Sequence, residues 1–442
     1  LAALAAVVAL AWGLRRMPVA LPLLLVAALP FRVPIDLGAG EDANLLLPLY
    51  MVIAAGVAAM AWDALREGGE RRGGEPRLLL VALAAATALY GLQASYSADV
   101  PFAARNIGFF IVPFAAMFVL LSEVEWTPRL LGLSLAVLVG ESVVFSLVGV
   151  WQHLAEEIFW NPALDRSNDF HFYFRANSLF WDPNIYGRYL ATAAVLALAV
   201  VLWTREPRRL SLLAGSLAVL LAGLFVAFSQ TSFIAVLAGA AVLIGLRWRA
   251  GWTALLAPVA LAAVLAIVVF VGGTSEAEDS ASEVSSGRTT LIEGGWELFK
   301  QEPLVGQGSA AFSETFGELE DVGEGQTTIS HNEPVTVAAE QGVVGLLAYA
   351  GLVAACAWVL LTGMRAIAPG LGAPPGAIGE PGEGGDGVRA LARIAIASAF
   401  AALLVHTVGY GGFLNDPLTW ALLAIGGSLA AAGSADAGSK LR

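Results

Sequence analysis

The chain has 442 residues, of which 58% are apolar and only 14% charged, and its mean hydropathy is +0.74. An ordinary globular protein carries about 25% charged residues, and a single soluble core stops growing beyond about 250–300 residues, so this composition excludes a soluble protein. The net charge of −12 argues against a nucleic-acid-binding surface. Since Cys356 is the only cysteine, a disulfide framework and a C-x-x-C site are excluded.

Apolar runs of about 17–25 residues, the length that crosses the hydrocarbon core, recur along the whole chain. They are too long and too uniformly apolar for barrel strands, so the sequence predicts an all-α fold, a polytopic membrane helical bundle of about twelve or thirteen transmembrane helices. The first 31 residues hold two shorter runs, separated by Gly13-Leu14-Arg15-Arg16-Met17-Pro18. The other predicted spans are 45–62, 78–95, 104–121, 130–151, 185–203, 210–228, 232–247, 252–271, 335–363, 390–409 and 416–433.

Arginine placement predicts the orientation of the bundle. Counting spans, five arginine-bearing connections fall on one side, which the positive-inside rule makes cytoplasmic. Their arginines are Arg15, Arg16, Arg66, Arg71, Arg72, Arg77, Arg205, Arg208, Arg209, Arg247, Arg249, Arg365, Arg389 and Arg393. The predicted units are an N-terminal transmembrane bundle (1–151), an external loop (152–184), transmembrane helices (185–271), a large external catalytic loop containing short helices (272–334), and C-terminal transmembrane helices (335–442) with a flexible cytoplasmic linker (366–388).

The large external loop carries most of the net negative charge and contains only two basic residues, Arg288 and Lys300. Apolar residues recur at helical spacing from Thr289 to Phe299. The pattern predicts an amphipathic helix, with Trp296 and Phe299 placed to anchor it at the membrane interface.

The end of this loop, Ser330-His331-Asn332-Glu333-Pro334, precedes a long apolar helix. Proline is favoured in the first helical turn, which places His331 just outside the helix, at the membrane–water boundary. An imidazole there can take up a proton near neutral pH. The residues alone leave open a second interpretation, in which His331 only hydrogen-bonds a loop carbonyl.

Arg288 and a glycine-containing turn also stand out in the loop. The guanidinium of Arg288 offers a bidentate fork that fits phosphate oxygens, although a salt bridge to a neighbouring carboxylate is an equal alternative. Gly306 and Gly308, in Pro303-Leu304-Val305-Gly306-Gln307-Gly308, allow close backbone approach to a ligand or simply bend the chain.

These motifs, in this order, resemble the O-antigen ligase and polymerase family of polytopic glycosyltransferases. The resemblance covers roughly 175–350. It rests on Ser286-Gly287-Arg288, Trp296, the Pro303–Gly308 turn, His331-Asn332-x9-Gly342-x-x-Gly345, and the aromatic-x-x-Pro-Asn pattern Phe180-Trp181-Asp182-Pro183-Asn184. It implies that His331 and Arg288 are catalytic and that Asn332, Asn184, Gly306, Gly308 and Trp296 contact the substrate.

The sequence departs from the family at Ser232, where many members carry an arginine that helps to hold a diphosphate. Arg175, Arg188 and Arg105 fall near the same membrane face by the predicted topology and are the candidates to replace it. Each can instead snorkel to the interface. Arg188 is the costliest to place, because it lies within a membrane helix and must face the bundle interior.

We expect other polar residues in or beside the apolar segments to have structural roles. Glu340 is expected to orient its helix or to pair with an arginine, and His406 and Asp416 to act as packing or capping groups. Four scattered histidines and the absence of an Asp-x-Asp pair predict no metal site, and no nucleotide-type glycine loop is found, so no cofactor is expected.

The resemblance implies a metal-independent, inverting glycosyltransferase in the bacterial inner membrane, with its active site on the periplasmic side. Its partners would be a glycan donor linked to undecaprenyl diphosphate, a glycolipid or glycan acceptor, and membrane lipids. An O-antigen ligase is favoured over a polymerase of the same family. The alternative from another class, a secondary transporter, is disfavoured because the halves of the chain are not alike and the motifs lie in external loops.

Overall fold

The computed structural model describes residues 2–36, 42–67, 76–169, 173–247, 288–320, 330–362 and 385–439, and over these residues it confirms a helical bundle. The helices are α1 (Ala2–Arg16), α2 (Ala20–Ala28), α3 (Leu47–Glu67), α4 (Arg77–Ala94), α5 (Val100–Asn106), α6 (Val112–Ser122), α7 (Pro128–Ala155), α8 (Pro162–Asn168), α9 (Pro183–Trp203), α10 (Pro207–Ala227), α11 (Gln230–Arg247), α12 (Arg288–Gln301), α13 (Phe312–Glu320), α14 (Glu333–Leu361), α15 (Gly385–Gly409) and α16 (Pro417–Ser439). A π-helical turn, Ile107–Ile111, joins α5 to α6.

Eight helical segments of the described chain are long and apolar enough to cross a membrane: α3, α4, α5–α6, α7, α9, α10, α14 and α15. Two shorter apolar helices, Gln230–Leu246 and Pro417–Ala432, coincide with the predicted spans at 232–247 and 416–433. The protein is therefore a multi-pass membrane protein. The predicted span 252–271 lies outside the described residues.

Proline and short polar side chains fix where many helices begin. Proline stands in the first turn of α7, α9 and α14, where its missing N–H has no helical partner to lose. The side chains of Thr127, Asp182 and Asn332 accept backbone N–H groups at these three N termini. The predicted helix start after His331 is therefore confirmed.

Helices α9 and α15 lie at the centre of the bundle. In each, 67% of the membrane-crossing window is buried, against 28–39% in the other six long segments. They contact each other and α11, and α9 also packs against α7 and α10. Polar side chains on α9 and α15 are therefore removed from lipid and require partners inside the protein.

Two short strands, Val33–Asp36 and Asp42–Leu45, pair in antiparallel register, with Val33 opposite Leu45. The sequence pattern did not predict this hairpin. It stands between α2 and α3, and it holds Arg32 and Leu45 beside the same cavity described below.

Both short helices of the external loop are present as α12 and α13, which confirms the prediction of helical structure there. Leu298 of α12 is buried against Phe312 and Phe316 of α13 and Ala339 of α14. Helix α15 begins at Gly385, inside the range 366–388 predicted as a flexible linker, and residues 366–384 of that range lie outside the described residues.

Candidate functional site

The site is built at one end of the bundle, where a cavity of about 450 Å³ is enclosed by elements far apart in the sequence. They are the residues preceding α3, the second half of α4, α5 with the π-helical turn, the start of α9, α14 from Glu333 to Leu352, and the connection between α15 and α16. Arg66, Arg77, Arg205 and Arg389 lie at the opposite ends of their helices. The cavity is thus at the end that the arginine count places outside.

Three arginines line this cavity: Arg32, Arg105 and Arg188. Arg105 and Arg188 were predicted as substrate-binding residues, whereas Arg32 was not. Desolvation lowers the pKa of the Arg32 guanidinium from its usual value, and the nearby Asp416 carboxylate acts in the opposite direction. Arg32 precedes a short hairpin rather than a recognisable motif, so no sequence signal marked it.

The deeper part of the cavity is apolar. Phe109 and Phe110 of the π-helical turn line it, together with Ala348 and Leu352, which lie several turns beyond the start of α14. The Tyr50 hydroxyl donates a 2.6 Å hydrogen bond to the Phe109 carbonyl, which holds this turn against α3. A charged opening and an apolar interior together suit an amphiphilic anion.

Arg188 is buried and is held by four hydrogen bonds to the protein. Its Nη1 donates to Asp416 Oδ2 at 2.8 Å, its Nε donates to His406 Nδ1 at 3.1 Å, and its Nη2 donates to two carbonyls of the connection between α15 and α16. Asp416 also caps α16 by accepting the Leu418 N–H at 2.9 Å. Asp416 therefore has the capping role expected from the sequence, and it has a second role as the ion-pair partner of Arg188.

We predict that Asp416→Asn lowers the free energy of unfolding by about 2 kcal/mol, because an amide cannot accept from Arg188 and Leu418 together and leaves the buried guanidinium poorly paired. Thermal unfolding in detergent measures the loss. The matched control is Asp63→Asn, which removes a partly exposed ion pair with Arg15 and is expected to cost less than about 1 kcal/mol. Equal losses in the two variants would contradict the prediction.

His331 lies beside the cavity rather than in its lining. Its ring is 5.3 Å from the Tyr410 ring, and Tyr410 lines the cavity. The backbone of His331 is left-handed (φ 57°), and the Ser330 hydroxyl holds the turn by accepting the Asn332 N–H. Burial and the neighbouring Asp182 carboxylate raise the pKa of the Tyr410 phenol, so it donates a hydrogen bond to Asp182.

Asn332 and Asn184, predicted to contact substrate, make protein contacts in the structure. Asn332 caps α14 through Val335 N and donates to Val408 O at 2.8 Å, which ties α14 to α15. Asn184 accepts from Ser229 Oγ at 2.9 Å. Both residues therefore connect helices around the cavity.

The glycine turn and the His-Asn-x9-Gly-x-x-Gly motif form one unit. Helix α14 is interrupted at Gly342 (φ 62°, ψ −161°), which frees the carbonyls of Ala339, Glu340 and Gln341. These accept from Gln307 N (3.1 Å), Gly308 N (2.8 Å) and Gln93 Nε2 (3.2 Å). The N–H groups of Val343 and Val344 bond instead to the carbonyls of Pro303 and Leu304.

Backbone approach explains the glycines of this unit. Gly306 and Gly308 have positive φ, and a Cβ at either position would lie within 2.3 Å of neighbouring backbone atoms. The Glu340 carboxylate accepts from Ala310 N (2.8 Å) and Phe312 N (3.2 Å), so it orients this loop and lines the cavity. The structure thus places Gly306 and Gly308 in protein contacts, and it shows Glu340 of α14 binding the backbone of the loop before α13.

The remaining predicted residues lie elsewhere. Arg175 is outside the cavity lining and donates to Ala227 O at 3.4 Å, at the end of α10. Trp296 is 51% exposed, with its ring stacked 5.0 Å from Phe299 on α12. Arg288 is the first residue of α12, and its side chain lies outside the described part of the chain.

Ser232, where the family pattern has an arginine, is fully buried. Its Oγ bonds to His406 Nε2 (3.1 Å) and Ser229 Oγ (2.8 Å), and a Cβ on Gly187 would meet it at 2.3 Å. A larger side chain has no room there. Within the described residues, no three His, Cys, Asp or Glu side chains are grouped to hold a metal ion.

A second, larger cavity of about 870 Å³ lies at the opposite end, between α7, α9, α15 and α16. Its lining is mainly apolar, and none of the predicted site residues contributes to it. The smaller cavity, which the predicted residues Arg105 and Arg188 line, is therefore the candidate functional site.

Comparison with known families confirms part of the resemblance. Residues 215–350 match the O-antigen ligase family, a segment that includes Ser232, Arg288, the Pro303–Gly308 turn and His331. Arg32, Arg105 and Arg188 lie outside the matched segment. No curated protein matches the chain.

Proposed function

We propose that the protein is an O-antigen ligase-type glycosyltransferase, which moves a glycan from undecaprenyl diphosphate to an acceptor hydroxyl at the periplasmic face of the bacterial inner membrane. The match over residues 215–350 supports a function in the O-antigen ligase and polymerase family. The observation that carries the proposal is the convergence of Arg32, Arg105 and Arg188 on a cavity with an apolar interior, next to His331.

The arginines would hold the diphosphate of the donor. Arg32, Arg105 and Arg188 line the cavity and would supply its positive charge, and Arg288, the first residue of α12, is a further candidate from the sequence. Guanidinium groups bind phosphate oxygens in a bidentate manner and stabilise the charge that develops on the leaving group. In this scheme no metal ion is required.

The lipid tail would leave through the apolar part of the cavity. Phe109, Phe110 and Leu352 line it, and Leu347 on the same helix as Leu352 is 69% exposed. A polyprenyl chain placed there would contact apolar side chains along its length, with its diphosphate at the arginines.

His331 would act as general base. It takes the proton of the acceptor hydroxyl as the hydroxyl oxygen attacks the anomeric carbon. The bond from the anomeric carbon to the diphosphate oxygen breaks, and undecaprenyl diphosphate leaves with its electron pair. A single displacement of this kind inverts the configuration of the anomeric carbon.

The proposal is tested by incubating the purified protein with a glycan linked to undecaprenyl diphosphate and with a glycolipid acceptor. A new glycolipid of higher mass is the expected product. A product that forms from two lipid-linked glycans alone indicates a polymerase. Counter-flow of a solute in proteoliposomes without any transfer product would overturn the proposal in favour of a transporter.

Replacing each candidate arginine distinguishes those that hold the donor. We expect Arg32→Gln and Arg105→Gln each to raise the donor KM about tenfold, since each removes a charged hydrogen-bond donor from the cavity. Arg175→Gln is the matched control, because Arg175 bonds to Ala227 O outside the cavity lining, and its KM is expected to change by less than about twofold. A larger increase in the donor KM for Arg175→Gln than for Arg32→Gln would indicate that the diphosphate binds near Arg175 instead of in this cavity.

A further inference from the structure

The centre of the bundle contains a buried chain of polar side chains that ends at Arg188. His406 on α15 is fully buried and Arg188 on α9 is 3% exposed. His406 Nδ1 contacts Arg188 Nε at 3.1 Å, and His406 Nε2 contacts Ser232 Oγ at 3.1 Å. The imidazole is therefore held from both sides.

The directions of these hydrogen bonds fix the protonation of His406. A guanidinium nitrogen only donates, so Nδ1 must accept with a lone pair. The imidazole is therefore neutral, with its proton on Nε2, and Nε2 donates to Ser232 Oγ. Ser232 Oγ in turn donates to Ser229 Oγ (2.8 Å), since Ser229 Oγ donates to Asn184 Oδ1 (2.9 Å).

The contact with His406 also fixes the plane of the guanidinium. Four of the five Arg188 N–H groups donate to His406, Asp416, Tyr410 O and Gly411 O. One N–H of Nη1 remains, and Arg188 lines the cavity together with Gly412, on which a Cβ would lie 3.7 Å from Nη1. Contacts with the described residues thus leave one N–H of Nη1 to donate to a ligand in the cavity.

We propose that His406 is a positioning residue: its neutral, Nε2-protonated imidazole orients Arg188 so that Nη1 contacts a diphosphate in the cavity. This inference rests on the proposed function for the identity of the ligand. Ser232 sustains the tautomer because its Oγ accepts a hydrogen bond from the Nε2–H group, and Asp416 balances the charge of Arg188.

The test compares His406→Leu, which removes both contacts, with His406→Gln, whose amide oxygen can accept from Arg188 while its NH₂ donates to Ser232. We expect His406→Leu to raise the KM for the lipid-linked donor about tenfold with kcat within about twofold, and His406→Gln to restore KM to within about threefold of wild type. Ser398→Ala is the matched control, because Ser398 is fully buried on the same helix and its hydroxyl donates to the Ile394 carbonyl one turn earlier, away from Arg188.

A merely structural role gives a different result. It would lower the melting temperature and the active fraction in both His406 variants and leave the donor KM unchanged. A wild-type KM in His406→Leu overturns the inference. So does a KM in His406→Gln as high as in His406→Leu when the two melting temperatures are equal.

A spectroscopic measurement separates this inference from the proposed function. In protein labelled with ¹⁵N-histidine, the resonances lost in His406→Gln assign the His406 ring. A lone-pair signal for Nδ1 and a protonated signal for Nε2 at neutral pH are expected, and a proton on Nδ1 overturns the inference alone. A wild-type protein that neither binds nor turns over the donor overturns the proposed function, and the diphosphate part of the inference with it.

Discussion

The substitution His331→Ala is expected to lower kcat for glycan transfer by about 10²–10⁴-fold, which is the usual contribution of a general base. Donor binding is expected to stay near the wild-type level. The reason is that the arginines that hold the diphosphate line the cavity, whereas His331 lies beside it, against Tyr410. Mass spectrometry of the glycolipid product measures turnover. Binding of undecaprenyl diphosphate to the same sample measures the donor site.

The matched control is His153→Ala. His153 also lies near the end of a long helix, α7, but its Nδ1 is 2.7 Å from the Phe174 carbonyl and it does not line the cavity. Transfer by this variant is expected to match wild type. Normal turnover in His331→Ala would show that His331 is not the general base, and it would favour the interpretation in which His331 only stabilises the loop.

Gly342→Ala is expected to lower the free energy of unfolding by more than about 3 kcal/mol. The φ and ψ values of Gly342 belong almost only to glycine, and a Cβ there would lie 2.5–2.7 Å from the backbone of Leu304 and Val305. The methyl group would push the Pro303–Gly308 loop out of the break in α14. The carbonyls of Ala339 and Glu340, and the N–H groups of Val343 and Val344, would then lose their hydrogen-bond partners in the loop.

Thermal unfolding of the purified protein measures this loss, and protease sensitivity of the external loop reports whether the loop has left the helix. Gly351→Ala, on the same helix, is the control. A Cβ on Gly351 meets nothing within 4 Å, so alanine is expected to be neutral or to stabilise the helix by up to about 1 kcal/mol. Equal melting temperatures for the two variants would contradict the account of the helix break.

The sequence predicts the helices well because lipid imposes a long apolar run on each of them, and the proline-marked starts of α9 and α14 follow from local chemistry. It does not predict the hairpin before α3, which is short and carries no turn motif that was recognised. Gly342 and the Gly306–Gly308 turn were both identified, but as separate features. To predict that they form one unit, one must know that the loop folds back onto the helix that follows it.

In the candidate site, too, the features that depend on local chemistry were predicted and those that depend on tertiary packing were not. Arg188 was expected to face the bundle interior, because a charge in lipid is too costly, and it does so. Its partners His406 and Asp416 lie 218 and 228 residues further along the chain, a separation at which no local spacing indicates pairing. Arg32 stands in no motif at all, and only the packed helices bring it to the cavity.

The break in α14 has a consequence for biogenesis. Gln93 and the Pro303–Gly308 loop, which complete the hydrogen bonding of the broken helix, both precede α14 in the chain. Since synthesis proceeds from the N terminus, every partner has been made by the time this helix emerges from the ribosome. A C-terminal fragment beginning at α14 would insert with unsatisfied carbonyls, so the protein cannot be divided at this junction into separately expressed, stable halves.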